Sequence, residues 1–256
     1  MKVLFIGDIV GKAGRNALKE HLPVLRNKYS PDLVIVNGEN SAHGKGITKK
    51  IYDFFIEIGV DCITLGNHAF SKDNVMTFIN SSERLIRPAN MYPLNIGKSY
   101  VILDVGGYPV GIYNIYGSIF MDNCAASPFD TMKQLLHDTD ADIRIVDFHG
   151  EATSEKQTFM QYFRNDVQMI VGTHTHVQTA DEGIFSKCAY ITDVGMSGPY
   201  DSVIGRETNE VIHMMVYQEK TRYTISENAA VLCGVIVEID PVKKQAVSIE
   251  RIQIRP

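Results

Sequence analysis

The fold is first indicated by Val3-Leu4-Phe5-Ile6-Gly7-Asp8, four apolar residues followed by a glycine and a carboxylate. A short apolar run bounded in this way predicts a buried strand. Residues 15–28 follow with leucines at spacings of four and three, which predicts a helix that Pro23 should kink or split. Repetition of this pattern of strand and helix along the chain predicts βα units and a largely parallel sheet.

The remaining elements are predicted from the same patterns of apolar residues. Further strands are predicted at 33–36, 63–65, 143–148, 169–171, 190–194, 223–226, 230–239 and 247–254, and an antiparallel hairpin at 100–116 that turns at Gly106-Gly107. Helices are predicted at 48–58 with Thr48 as the cap, and at 71–78, 128–137 and 153–163. This many strands favours two mixed sheets packed face to face with helices outside, in a single domain over residues 1–256.

Composition restricts the class of partner. The net charge is -5 and no long basic stripe is present, so a polymeric nucleic acid is disfavoured as a ligand. The densest basic stretch, Lys45 with Lys49 and Lys50, is interpreted as a solvated loop and helix start in preference to a phosphate-steering patch. No segment resembles a signal peptide or a membrane span, and the four cysteines are isolated, so we expect a cytoplasmic protein with reduced thiols and no membrane partner.

Five apolar runs end in side chains that can bind a metal ion. The runs end at Asp8, at Asn37-Gly38-Glu39-Asn40, at Asn67-His68, at Asp147-Phe148-His149 and at His174-Thr175-His176. Because the carboxyl ends of parallel strands converge on one edge of a sheet, these residues can form one cluster. Residues two apart in an extended segment face the same side, so His174 and His176 can both reach it.

Each of these residues has an ordinary structural explanation when taken alone. A lone aspartate after a strand is more often a cap or turn residue, and a lone histidine more often a structural imidazole. Five such strand ends in one chain favour a shared metal site instead. His21, His137 and His213 lie away from strand ends and are assigned no role. The glycines near Gly7 and Gly38 match neither a dinucleotide fingerprint nor a phosphate-binding loop in their spacing.

The order of these blocks resembles that of the calcineurin-like metallophosphoesterases, and longer blocks resemble the YmdB-type bacterial phosphodiesterases. These blocks are NGENSAHGKG at 37–46, RPAN at 87–90, DFHGEATSEK at 147–156, GTHTHVQTA at 172–180 and TDVGMSGPY at 192–200. The resemblance runs over nearly the whole chain. It implies an α/β fold, a four-layer α/β/β/α sandwich with two mixed sheets flanked by helices. It also implies hydrolysis of 2′,3′-cyclic nucleotides at the 2′ position, giving 3′-nucleotides, at a di-iron or related centre.

The resemblance also implies a role for each site residue. Asp8, Glu39, Asn40 and His176 would surround one metal ion, and Glu39, Asn67, His149 and His174 the second. Glu39 would bridge the two ions, and His68 would be the catalytic acid that protonates the departing ribose oxygen or stabilises its charge. Attack by a hydroxide held between the ions is the expected reaction.

Several positions depart from the superfamily pattern. Val10 stands where a metal-binding histidine is common, and we expect Asn40 to replace that ligand. Ala69 stands where an acidic residue commonly orients the imidazole, so another group must orient His68. Asp147 and Glu151 flank His149 and have either an indirect role at the metal site or a surface or capping role. Residues 193–200 either line or cover the pocket or form a plain loop.

The ligand set suits iron, with manganese, zinc or cobalt as alternatives, and the expected substrate is a small nucleotide. Two other functions remain open from the sequence. The same metal centre would serve a phosphomonoesterase or protein phosphatase, and a regulatory nucleotide-binding protein could bind with little turnover. A homo-oligomer is compatible with the sequence, which gives no subunit number.

Overall fold

A computed structural model describes residues 1–256. The strands are β1 (Lys2–Ile6), β2 (Asp8–Ile9), β3 (Leu33–Asn37), β4 (Cys62–Thr64), β5 (Leu85–Ile86), β6 (Tyr100–Val105), β7 (Tyr108–Tyr116), β8 (Ile143–His149), β9 (Met169–Thr173), β10 (Gly183–Phe185), β11 (Cys188–Ile191), β12 (Met196–Pro199), β13 (Ala230–Asp240) and β14 (Gln245–Ile254). The helices are α1 (Gly11–Tyr29), α2 (Lys49–Glu57), α3 (Pro128–Asp138), α4 (Thr153–Phe163) and α5 (Thr208–Val216), with short 3₁₀ helices at Asp73–Thr77 and Ile79–Ser81. No helix combines the length and apolar character that a membrane span requires.

The strands form two mixed sheets. The first has the order β2-β12-β13-β1-β3-β4-β5, with β14 also paired to β13, and its β1, β3, β4 and β5 are parallel. The second has the order β10-β11-β9-β8-β7-β6, in which β7, β8, β9 and β11 are parallel and the two edge strands are antiparallel. Each sheet therefore contains a block of four adjacent parallel strands, as the βα pattern predicts.

Three apolar layers hold the sheets and helices together. Alternate residues of β1 separate into two of them, because successive side chains of a strand face opposite sides. Val3 and Phe5 pack against Ile145 and Val171 of the second sheet, between the two sheets. Leu4 and Ile6 lie in the layer under α1 and α2. The third layer joins the outer face of the second sheet to α3 and α4. The predicted four-layer α/β/β/α sandwich is confirmed.

Several local predictions hold. The hairpin between β6 and β7 turns at Gly106 and Gly107, both at positive φ, where glycine carries no steric penalty. Thr48 caps α2 and accepts from the Ile51 amide at 3.4 Å. The expected split at Pro23 is wrong, because α1 continues from Gly11 to Tyr29. Pro23 lies on the exposed face, so water can solvate the carbonyl that loses its partner.

Other local predictions are wrong for identifiable reasons. Residues 71–78 are wrongly predicted as an α-helix: Asp73–Thr77 form a 3₁₀ helix, of which only Val75 is buried. Residues 223–226 form no strand, although Ile225 makes one isolated bridge to Arg206. The short strands β2, β10 and β12 were not predicted, because two to four residues carry almost no periodic signal. Helix α5, of nine residues, was not predicted either.

Candidate metal centre

The predicted metal ligands lie at one edge of both sheets. Strands β1, β3 and β4 of the first sheet and β8 and β9 of the second end there. Register brings His149 opposite Thr173, the last residue of β9 before His174. The ligand atoms of Glu39, His149 and His174 all lie within 4.8 Å of one another. Residues distant in sequence thus form one cluster, as the strand ends predict.

One half of the cluster surrounds the Nε2 atom of His149. This atom lies 2.9 Å from Asn67 Oδ1, 3.1 Å from His174 Nδ1 and 3.4 Å from Glu39 Oε1. His149 is fully buried, and the ring of Tyr116 lies nearly parallel to it at 6.3 Å between centroids. The four residues expected around the second metal ion are therefore together.

The other half lies beside the same glutamate. Asn40 Nδ2 lies 2.9 Å from Glu39 Oε1 and 3.0 Å from His176 Nε2. Asp8 is buried, and its Oδ2 accepts from the His174 amide at 3.2 Å. Its Oδ1 is buried without any hydrogen-bond partner. Glu39 lies between the two halves, which is the position expected for a bridging ligand.

The surroundings of each imidazole direct one ring nitrogen toward the cluster. His176 Nδ1 lies 2.9 Å from the carbonyl oxygen of Ile204, so Nδ1 carries the ring proton and Nε2 has none. His174 Nε2 lies 3.1 Å from the Glu151 carboxylate, which leaves Nδ1 free. A free imidazole nitrogen fixed by a hydrogen bond at the other nitrogen is the arrangement of a metal ligand.

His149 obtains its orientation through a relay. Its Nδ1 lies 2.9 Å from Thr173 Oγ1, and this hydroxyl donates to Asp147 Oδ1 at 2.7 Å. Because Thr173 donates its only hydroxyl proton to Asp147, its oxygen must accept from His149 Nδ1. The Nε2 atom of His149 therefore carries no proton. Asp147 is fully buried and also accepts from Thr64 and Asn37. Asp147, through Thr173, and Glu151 therefore both hold histidines of the predicted metal site, which is the first of the two roles considered from sequence.

The electrostatics of the cluster favour bound cations. Burial, and next the nearby Asp193, raises the pKa of Asp8 to about 7, and burial followed by Asp8 raises the pKa of Glu39 well above its usual range. Burial lowers the pKa of His149 far below its ordinary value and that of His174 to about 4. A neutral imidazole offers a lone pair to a divalent metal ion, and a bound cation offsets the repulsion between carboxylates that lie close together. Together with the unpartnered Oδ1 of Asp8, they make the cluster fit metal ions held by nitrogen and oxygen.

The loop that carries His174 and His176 departs from the prediction. Strand β9 ends at Thr173, and both histidines have positive φ, 103° and 67°, so they do not lie in an extended segment. Asp193 fixes this loop by accepting from the Thr175 amide at 3.0 Å. The fully buried Lys156 donates to Asp193 Oδ2 at 2.9 Å. Backbone strain of this kind costs about 1–3 kcal/mol per residue and persists where the surroundings impose it.

His68 lies beside Asn67 and is partly exposed. Its amide donates to Glu39 Oε2 at 3.0 Å, and its Nδ1 lies 3.3 Å from the hydroxyl of Ser71. Ser71 is thus the group that orients the imidazole in place of an acidic residue at Ala69. Burial, and next the charge of Lys45, lowers the pKa of His68 to about 4. At neutral pH the ring is therefore uncharged and carries one N–H, and its Nε2 lies 3.3 Å from Asn67 Nδ2.

Sequence reasoning missed three contributors, namely Lys156, Asp193 and Ser71. Two of them stood in the quoted blocks DFHGEATSEK and TDVGMSGPY, but only the contacts reveal what they hold. Residues 193–200 lie beside the cluster and are not a plain loop. Their strand β12 is buried and pairs in parallel with β2, so Met196 lies opposite Asp8.

Other histidines and a cavity of about 1100 Å³ lie elsewhere. His137 and His213 are exposed and face Asp138 and Glu219. The cavity is lined by none of the predicted metal ligands. It lies between the start of α1 and residues 222–230, and His21 and Tyr223 are among its lining residues.

Comparisons with known proteins agree with this fold and site. A sequence profile of YmdB-like proteins matches residues 4–252. The chain is 42% identical to a Bacillus subtilis protein named 2′,3′-cyclic-nucleotide 2′-phosphodiesterase, over 99% of this chain and 97% of that one. A crystal structure described as a novel phosphatase of Mycoplasma pneumoniae is 39% identical, has a TM-score of 0.96 and covers 100% of this chain and 93% of that chain.

A second crystal structure, of a hypothetical protein from Thermus thermophilus, is 36% identical with a TM-score of 0.93 and covers 100% of this chain and 99% of that chain. The predicted resemblance is therefore confirmed. The expected enzyme class, a hydrolase of phosphate esters, agrees with the names of the Bacillus and Mycoplasma relatives. The chain belongs to the family of YmdB-like proteins.

Proposed function

We propose that this protein hydrolyses 2′,3′-cyclic nucleotides to 3′-nucleotides at a centre of two metal ions. The observation that carries the proposal is the position of Glu39 between two groups of donors, together with the buried and unpartnered Oδ1 of Asp8. Burying such an oxygen without a partner is costly, and a cation would compensate it. The substrate class is that of the Bacillus subtilis relative, which matches this chain over nearly its full length.

Each metal ion would be held by four side chains. Asp8, Glu39, Asn40 and His176 would hold one ion, and Glu39, Asn67, His149 and His174 the second. The donors are oxygen and nitrogen without sulfur, a set that suits iron, and also manganese, zinc or cobalt, better than calcium. When bound, two such ions supply a nucleophilic hydroxide and neutralise the oxygens of a phosphodiester.

His68 would stabilise the leaving group, and neighbouring residues would hold it in position. The amide of His68 is fixed by Glu39, and its ring by Ser71, so the imidazole is held next to the cluster. Because its lowered pKa leaves it neutral, His68 would stabilise the charge on the departing ribose oxygen as a hydrogen-bond donor, in the tautomer that carries the proton on Nε2 and accepts from Ser71 at Nδ1. The substrate oxygen would then replace Asn67 Nδ2 as the partner of Nε2. Of the two roles considered for this residue, charge stabilisation is the one that the neutral ring can fill.

The cysteines and the net charge support a compartment and a substrate size. Four free cysteines, three of them buried, suit a reducing compartment, and we propose the cytoplasm. The acidic balance favours a small nucleotide over a long polymer as substrate.

The test compares variants of the two key residues. Glu39→Gln should lose bound metal and activity on adenosine 2′,3′-cyclic phosphate. His68→Ala should keep its metal content and lose roughly 100-fold in kcat, the scale of one hydrogen-bond donor at the developing charge. His137→Ala removes an exposed histidine next to Asp138 and should resemble the unaltered protein in both measurements.

Three outcomes would contradict the proposal. Loss of metal from His68→Ala would make that residue a ligand. Release of phosphate from mononucleotides without opening of the cyclic ester would instead identify a phosphomonoesterase on the same centre. Tight binding of the cyclic nucleotide by metal-loaded protein without any turnover would identify a regulatory binding protein.

A further inference from the structure

Two cationic side chains beside His68 have no acidic partner. Lys45 Nζ lies 5.6 Å from the centre of the Tyr223 ring, and the guanidinium of Arg206 lies against the same ring. Neither cation takes part in any ion pair of the chain. The carboxylate of Glu210, near Tyr223 in space, is occupied by the amide and hydroxyl of Thr224.

The backbone places this cation pair at the rim of the metal cluster. A Cβ atom built on Gly46, the residue after Lys45, would lie 3.2 Å from the carbonyl oxygen of His68. Ile204, two residues before Arg206, accepts the hydrogen bond of His176. Ile225, two residues after Tyr223, packs against Gly44. Three segments of the chain thus meet next to the two histidines.

The two cations also act on each other. Burial lowers the pKa of Arg206 to about 10, since its charge is only partly solvated. Two like charges on one ring repel each other, and an anion bound between them would relieve that repulsion.

The position relative to His68 indicates which anion would bind. In the proposed reaction the metal centre would hold the cyclic phosphate, and His68 would face the ribose oxygen that leaves. Groups at the rim beyond His68 therefore lie toward the nucleoside part of the substrate, whose remaining position for a second phosphate is the 5′-oxygen. A phosphate on that oxygen would meet Lys45 and Arg206, and arginine and lysine are the usual partners of phosphate.

We propose that Lys45 and Arg206, joined through Tyr223, form a second phosphate site that selects 2′,3′-cyclic nucleotides carrying a 5′-phosphate. This inference rests on the proposed function and specifies its substrate class. Two sources share the required chemistry, a free nucleotide with a 5′-phosphate and the 2′,3′-cyclic phosphate end of a short oligoribonucleotide. Tyr223 also lines the cavity of about 1100 Å³, which leaves room for a further nucleotide beyond the phosphate.

The test compares three substrates on the metal-loaded protein. These are adenosine 2′,3′-cyclic phosphate, its 5′-phosphorylated form, and the dinucleotide ApA ending in a 2′,3′-cyclic phosphate. We expect kcat/KM to be roughly tenfold higher for the 5′-phosphorylated form, the scale of one charge-assisted contact. An equal advantage for ApA would identify oligonucleotide ends as a source, and no advantage for ApA would restrict the source to free nucleotides.

Charge neutralisation separates the phosphate site from the catalytic centre. Lys45→Gln and Arg206→Gln should remove the preference while changing kcat/KM for the unphosphorylated substrate by about twofold or less. Lys50→Gln removes the same charge from an exposed residue of α2 and should keep the preference. Calorimetric binding of adenosine 3′,5′-bisphosphate and of adenosine 3′-monophosphate gives a second readout without turnover. The bisphosphate should bind roughly tenfold more tightly, and Lys45→Gln should abolish the difference.

The outcomes distinguish this inference from the proposed function. Equal kcat/KM for the first two substrates, with equal binding of the two products, would overturn the second phosphate site and leave the phosphodiesterase assignment intact. Absence of turnover for all three substrates would overturn the proposed function and this inference with it. A thermal unfolding curve of Arg206→Gln that matches the unaltered protein shows that lost preference does not reflect a misfolded loop.

Discussion

Replacing Lys156 by Met should destabilise the protein strongly, because it leaves a buried charge without its partner. Lys156 Nζ lies 2.9 Å from Asp193 Oδ2 and 2.8 Å from the carbonyl oxygen of Thr173, and both charged side chains are fully buried. Removing one member of a buried pair costs about 3–5 kcal/mol. In a chain of this size that corresponds to a fall in Tm of about 10 °C.

The assay is chemical unfolding of metal-free protein, so that lost metal binding does not add to the effect. Lys49→Met is the matched control, since Lys49 pairs with Asp53 on the exposed face of α2 and should contribute less than about 1 kcal/mol. The double variant Lys156→Met with Asp193→Asn removes both charges. The double variant should lose about 2 kcal/mol less unfolding free energy than the two single variants lose together. The reasoning would be refuted if Lys156→Met lost less than about 1 kcal/mol of unfolding free energy, or if the two single losses added up to that of the double variant.

Three further predictions test the supports of the site. Gly172→Ala should lower the free energy of unfolding by about 2–3 kcal/mol, because the new methyl would overlap the Thr192 carbonyl oxygen. Gly183→Ala, which meets only the edge of Phe185 at 3.1 Å, is its control, and equal effects of the two in urea unfolding would contradict the steric argument. Ser71→Ala should lower kcat several-fold and leave KM and metal content unchanged, because the hydroxyl orients His68. A change confined to KM would show that Ser71 binds substrate instead. Metal-free protein should lose stability as pH rises from about 4 to about 7, because Asp8 and Asp147, with pKa values raised to about 7, keep protons that the unfolded chain has released. Unfolding measured at several pH values checks this, and stability that rises over that window would show that the carboxyls are ionised when folded.

The layered fold could be predicted because its signals are local. Strands such as β1 and helices such as α4 carry their periodicity within one segment, and α4 has the predicted bounds of 153–163. Strand β12 and helix α5 could not be predicted. The four residues of β12 include two that break ordinary strand patterns, Gly198 and Pro199, and they are held by pairing with distant segments.

The residues of the candidate site could be predicted better than their geometry. Strand ends place Asp8, Glu39 and His149 at one edge whatever the loops do, because the sheet fixes the edge. The conformation of the His174 loop depends on Asp193, which follows β11 some twenty residues later and is itself held by Lys156. A pattern within one segment contains no information on such a contact. The contact between Ser71 and His68 likewise could not be predicted, because it depends on the conformation of the loop.

The central claim is that Glu39 lies between two metal ions. Two manganese ions that share a bridging ligand about 3.5–4 Å apart are magnetically coupled. We therefore expect metal-free protein titrated with Mn²⁺ to bind two ions per chain and to give the electron paramagnetic resonance spectrum of a coupled pair. One ion per chain at saturation, or two that give the spectrum of isolated Mn²⁺, would contradict the account.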